Sequence, residues 1–205
     1  MREWWLIGRR KTGNSATLQF NNEQKNIALA TVISGIIIAM LLLFAIRVGD
    51  WIHVPFMAPL FIIILLFSHA KKTLSKEFYI LFPLIVLLAT LGSKHTFDYY
   101  RSVEWYDSLV HFIVTFVFTY FFAFLARLSA WGKKTEPLGF AVFVVGLGIA
   151  LGVFWEIFEW GLSRIIEIEM YEGIDDLITD LVMDTIGAVL AGIFIFKSAL
   201  QKRLV

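Results

Sequence analysis

The sequence predicts an all-α protein, a polytopic transmembrane helical bundle of six helices with both termini in the cytoplasm (N-in/C-in). Three observations carry that expectation. Of the 205 residues, 59% are hydrophobic, with a mean hydropathy of +0.75, well above the roughly 45 to 50% apolar usage of soluble domains. The apolar residues form continuous runs near the ~20 residues a helix needs to cross a ~30 Å hydrocarbon core, whereas membrane strands would alternate. Lys and Arg gather in alternate gaps between those runs, as the positive-inside rule requires of a chain that crosses repeatedly.

The polar, basic segment 1–26 precedes the first run and is expected in the cytoplasm. It contains no signal-peptide h-region, and the run after it, Ile27 to Val48, is too long to be one, so it reads as a retained anchor. Trp4, Trp5, Leu6 and Ile7 beside Arg9, Arg10 and Lys11 would make an interfacial foot on anionic lipid; a frayed terminus is the plainer alternative. The second run is Trp51 to His69 and the third Phe78 to Ser93. The third is short, and crosses only with local thinning or with Lys76 and Lys94 snorkelling. Ser108 to Leu128, Leu138 to Trp160 and Leu177 to Phe196 complete a transmembrane domain over 27–197, leaving 198–205 as a cytoplasmic tail. The repeated apolar runs make it a multi-pass membrane protein by expectation.

The basic side holds Arg2, Arg9, Arg10, Lys11 and Lys25, then Lys71, Lys72 and Lys76, then Arg127, Lys133 and Lys134, then Lys197, Lys202 and Arg203. The opposite gaps hold only Arg47, Lys94, Arg101 and Arg164. Acids run the other way, from Asp50 and Asp98 through Glu167, Glu169 and Glu172 to Asp184, with Trp51, Trp105, Trp155 and Trp160 flanking the same side as an aromatic belt. Because Asp and Glu contribute little to topology, the acidic bias needs another cause.

A formal charge of +1 excludes an electrostatic nucleic-acid binder, which would carry a basic stripe. The absence of cysteine excludes disulfides, thiolate metal sites and cysteine nucleophiles, so any metal must use His, Asp or Glu. Helices one to three carry no counterpart of the charged residues in four to six, which speaks against a transporter built from matched halves.

Those charges are the candidate site. Asp107 and His111 lie at i and i+4 on the fourth helix, Glu156 and Glu159 at i and i+3 on the fifth, and Asp176, Asp180 and Asp184 at four-residue steps on the sixth. Gly148 and Gly152 extend the Glu156 stripe, and Gly187 and Ala191 the Asp184 stripe, letting neighbouring helices approach closely. At 1.5 Å per residue Asp184 lies about 12 Å below Asp176, near mid-membrane. An Asp there costs about 2.5 to 3.5 kcal/mol on insertion scales, so such acids face a bundle interior and find partners. Asp180, Asp184 and Glu156 are therefore expected to converge. With so little basic compensation, either protons or a cation must neutralise them. An oxygen-rich site with one His suits a divalent metal ion such as Mg, Mn, Zn or Fe(II).

The expected metal ligands are Asp107, His111, Glu156, Asp176, Asp180 and Asp184, with Glu156, Glu159, Arg101 and Arg164 as catalytic groups. Plainer readings stand beside these. Asp107 and Asp176 sit where helix N-caps are preferred, Glu159 sits where a carboxylate snorkels, and His111 suits a neutral packing residue. Asp180, Asp184 and Glu156 suit protonated interhelical hydrogen bonds.

The order Asp107-x3-His111, Trp155-Glu156-x2-Glu159, Asp176-x3-Asp180-x3-Asp184-x2-Gly187-x4-Gly192 resembles the YjdF-like family of bacterial integral membrane proteins, and more loosely VanZ-like proteins. The likeness covers Tyr106 to Gly192, and VanZ-like patterns usually carry Asn where this chain has Asp184. It implies an envelope membrane protein, in the plasma (inner) membrane of a bacterium, and no particular reaction. Phosphatidyl-alcohol transferases also end a motif with Asp-x3-Asp, but their opening Asp-Gly-x2-Ala-Arg is absent.

The leading functional expectation is a metal-dependent, membrane-embedded hydrolase or transferase acting on a lipid or lipid-linked headgroup in the outer leaflet. Membrane lipid and a divalent cation are its expected partners, and nucleic acid is not. The alternatives are a cation or proton transporter using the Asp176, Asp180, Asp184 ladder, and an envelope assembly or sensing protein whose acids hold the bundle together.

Overall fold

A computed structural model describes residues 4–51, 53–69, 74, 76–165 and 173–201, with the side chains of the first helix described from Lys25 onward. The proposed Trp4 to Ile7 foot therefore lies outside the described side chains. Lys71, Lys72, Glu167, Glu169, Glu172, Lys202 and Arg203 lie outside the described residues. Eight helices and no strand occur among the described residues: α1 Trp4–Val48, α2 Val54–His69, α3 Phe78–Gly92, α4 Tyr99–Ser102, α5 Tyr106–Leu128, α6 Ala130–Lys134, α7 Pro137–Ile165 and α8 Ile174–Gln201.

Four stretches are long and apolar enough to span a membrane: Lys25–Val48, Tyr106–Leu128, Pro137–Ile165 and Ile174–Leu200. The apolar helices α2 and α3 have 16 and 15 residues, roughly 22 to 24 Å at the helical rise, so they fall short of the ~30 Å core unless the bilayer thins. Six crossings were expected, and length and composition give four. The first helix starts well before its apolar run because Lys, Gln and Glu are good helix formers; an apolar-run reading detects only the part that lipid would surround.

The chain forms two compact units, 1–86 and 87–205. In the first, α1 packs on α2, with Gly35 facing Phe61 and Ile64. Among the described side chains of α1 the buried ones form one stripe, at Ser34, Ile38 and Ala45, while Leu29, Val32, Ile36, Met40 and Leu43 are exposed. A helix apolar all round but covered on one stripe would be expelled from water, and lipid is the solvent that tolerates it.

In the second unit α5, α7 and α8 pack against one another pairwise. Glycines set how closely they approach. A Cβ on Gly187 would meet the Phe112 carbonyl and the Phe116 amide of α5, one on Gly192 would meet Val145 of α7, and one on Gly148 would meet Thr119 of α5 and Ala188 of α8. An elbow joins α5 to α7: Ser129 caps α6 by accepting from the Gly132 amide, Arg127 donates to the Gly132 carbonyl (2.5 Å), and its guanidinium lies 3.7 Å from the Phe140 ring centre. Beyond the elbow, Ala123, Phe140, Val144 and Ile195 form an apolar core cluster. At the other end, the Tyr106 hydroxyl donates to the Leu88 carbonyl (2.7 Å), anchoring the start of α5.

Candidate metal centre

The site is built around one imidazole. His111 sits one turn into α5, 7% exposed, and its two ring nitrogens face different carboxylates. Nε2 lies 3.8 Å from Asp107 Oδ1 and 3.9 Å from Asp180 Oδ2. Nδ1 lies 3.4 Å from Glu156 Oε1 and 3.4 Å from Asp184 Oδ1. Three helices thus deliver four carboxylates to one ring, the convergence expected from their spacing and depth.

The regular helix explains the two levels. Asp107 and His111 share a face of α5, and Asp180 and Asp184 share a face of α8, so the pair nearer the helix starts meets Nε2 and the deeper acid meets Nδ1. Asp184 fits because α7 has no side chain opposite it: a Cβ on Gly152 would lie 2.8 Å from both Cβ and Cγ of Asp184. The Thr115 hydroxyl, one turn below His111, donates to Asp184 Oδ1 (2.5 Å).

Asp180, Asp184 and Glu156 are 1%, 3% and 4% exposed, and Asp180 Oδ1, Asp184 Oδ2 and Glu156 Oε1 have no hydrogen-bond partner. Among the described residues no Lys or Arg side chain is buried. Leaving ionised oxygens in this state is costly, so protons within the cluster or a bound cation must neutralise them.

Two groups have ligand atoms within 4.8 Å of one another, Asp107 with His111 and Asp180, and His111 with Glu156 and Glu159. Glu159, expected as a catalytic or snorkelling carboxylate, is thereby drawn beside Glu156, half-buried. Asp176 is half-buried in the first turn of α8, one turn from Asp180. Neither it nor Asp107 occupies a cap position: Trp105 precedes α5 with no side-chain cap bond, and Gly173 precedes α8 with φ of 130°. Arg101 is exposed on α4, and Arg164 is exposed near the end of α7 with its guanidinium 5.6 Å from the Trp160 ring centre.

Sequence reasoning missed Thr115 as a member of the site. Its signal was present: Asp107, His111, Thr115 and Thr119 form one polar ladder at four-residue steps on α5. Only the charged rungs stand out by their cost in a membrane, because a threonine hydroxyl can bond its own helix backbone.

Comparison with known proteins agrees with the membrane reading and gives no activity. A Thermotoga maritima protein named only "Uncharacterized protein" is 32% identical over 92 residues, covering 44% of this chain and 47% of the relative, so the match spans about half the length of that curated relative. No solved structure matches. The family model described as "Predicted membrane protein (DUF2238)" matches residues 29–201, a span that includes every helix of the carboxylate cluster, and the chain belongs to that family.

Proposed function

We propose that the chain crosses a bacterial plasma membrane six times, N-in and C-in, and that the His111 cluster holds a divalent cation at the centre of a membrane-embedded hydrolase or transferase. Its substrate is a lipid or lipid-linked headgroup reached from the outer leaflet. The observation that carries the cation reading is the set of three buried carboxylates, each with an oxygen lacking a hydrogen bond, around a single imidazole.

The Nε2 side is the better seat for the ion. Three atoms within 4.8 Å of one another share a point no more than about 2.8 Å from each, and a small closure brings that to the ~2.0 to 2.6 Å of Zn, Mg or Ca bonds. Asp107, His111 and Asp180 supply the ligands there, with Asp176 a turn away. The bound ion would lower the pKa of a water, Glu156 and Glu159 would accept its proton, and Arg101 or Arg164 would hold a headgroup phosphate. The close helix approaches at Gly148, Gly187 and Gly192 favour this one-sided site over a transport path, because they leave no room for a side chain below the acids. The YjdF-like motif order adds only an envelope location.

Protein purified in detergent is expected to contain a stoichiometric divalent metal by elemental analysis. Chelation should lower the melting temperature and re-addition should restore it, since binding to the folded state stabilises it. Asp180→Asn should abolish the metal-dependent shift, and exposed Glu104→Gln should leave it unchanged. Absence of metal, together with no shift from any divalent ion, would replace the cation with a protonated carboxylate network. Topology is tested separately: a reporter active only outside the cytoplasm should be active after Tyr100 and silent after Lys133, and the reverse pattern would sink the six-crossing arrangement.

A further inference from the structure

We infer that Thr115 and Asp184 are a positioning pair that fixes the His111 ring so that Nε2 faces the Asp107–Asp180 side. The inference rests on the cation reading above and assigns Asp184 a role other than metal ligand. An imidazole offers a metal one nitrogen at a time, and which one is available depends on what holds the other; metal-bound His residues characteristically give their second nitrogen to a carboxylate.

Here the second nitrogen is Nδ1, and two carboxylates reach it at equal distance, Glu156 Oε1 and Asp184 Oδ1. They differ in how they are held. Glu156 Oε1 has no hydrogen-bond partner. Asp184 is tethered: its Oδ1, the same atom that faces Nδ1, accepts the Thr115 hydroxyl at 2.5 Å. Thr115 comes from the same face of α5 as His111, so one helix contributes both the ring and the donor that fixes the ring's carboxylate.

Gly152 completes the arrangement from α7. Asp184 lies in the space a side chain there would fill, with its Cβ and Cγ each 2.8 Å from where the Gly152 Cβ would stand. The carboxylate is confined on one side by the α7 backbone and on the other by the Thr115 hydroxyl, which leaves it little freedom to turn away from Nδ1. Hydroxyl, carboxylate and imidazole thus form a chain of three groups on α5, α8 and α5, ending at the nitrogen that meets the ion.

The test uses the full-length protein in detergent, with Zn(II) and Mn(II) as the probes, and reads dissociation constants by calorimetry. Thr115→Val keeps the shape and removes the hydroxyl; it should weaken binding about 10- to 100-fold, the usual cost of losing an outer-shell partner. Thr115→Ser should restore affinity to within about threefold, since it returns the donor that the outer shell requires. Asp184→Asn, which keeps an acceptor for Thr115 but loses the charge, should fall with Thr115→Val. Rescue by Thr115→Ser, which returns the hydroxyl without the methyl group, separates positioning from general packing. Equal affinity in Thr115→Val and wild type, with Asp180→Asn unable to bind, would overturn the positioning role alone. No binding by wild type would overturn this role and the cation reading together.

Discussion

The two units of the molecule each bury a carboxylate beside a histidine, and they do it differently. In the first unit, Asp50 is fully buried and accepts from or pairs with His53 Nδ1 at 2.7 Å, three residues away in the turn after α1. Gly49, with φ of 82°, makes that turn. In the second unit, His111 meets Asp107 on its own helix and acids separated from it by 45 to 73 positions. A local pair at a helix end belongs to the turn that stops the helix. Polar groups that meet only after three long helices have packed serve no local need, and the separation in sequence marks the difference.

That contrast is broken most severely by disturbing the packing itself. A Cβ on Gly187 would lie 2.5 Å from the Phe112 carbonyl oxygen, which is backbone and cannot swing away. Gly187→Leu is expected to destabilise by about 3 kcal/mol or more and Gly187→Ala by about 1 to 3, as overpacking does. Gly146→Ala, where nothing lies within 4 Å, should be tolerated. Equal melting temperatures for the Gly187 and Gly146 variants would show that α5 and α8 do not touch as described.

A smaller effect separates the two histidines. With a divalent ion at a hundred times its dissociation constant, the metal-dependent stabilisation is about 2.7 kcal/mol, and His111→Ala should lose all of it. His53→Gln should keep it intact, whatever overall stability is lost by taking the partner from buried Asp50. A His53 variant that loses metal-dependent stability would place the ion, or part of its site, with the wrong histidine.

Much of the second unit was legible in the sequence because long apolar runs and i, i+4 spacing are properties of single helices. The runs Ser108 to Leu128, Leu138 to Trp160 and Leu177 to Phe196 correspond to α5, α7 and α8, and the structure adds the polar turns that a hydropathy reading trims, such as Ser163 and Arg164 on α7. Convergence of Glu156, Asp180 and Asp184 followed from depth alone. Which nitrogen each acid faces did not, because that depends on helix rotation and on the niche at Gly152. The division between α2, α3 and the longer spans was blurred for a related reason: Trp51 and Ser93 are apolar or small enough to extend a run, yet the turns at Gly49 and at Thr96, whose hydroxyl donates to the carbonyls of Thr90 and Ser93, shorten the helices.

The elbow between α5 and α7 also bears on how such a chain enters a membrane during synthesis. Arg127 and Phe140 are thirteen positions apart and clamp the two helices through α6, so this hairpin can close as soon as its second arm emerges. Of the three helices, α8 carries the most acids within its span and is made after the other two. Under the proposed topology, His111 and Thr115 would already be in place when Asp180 and Asp184 are made, and Arg127→Ala, which loosens the hairpin, is expected to reduce insertion of α8.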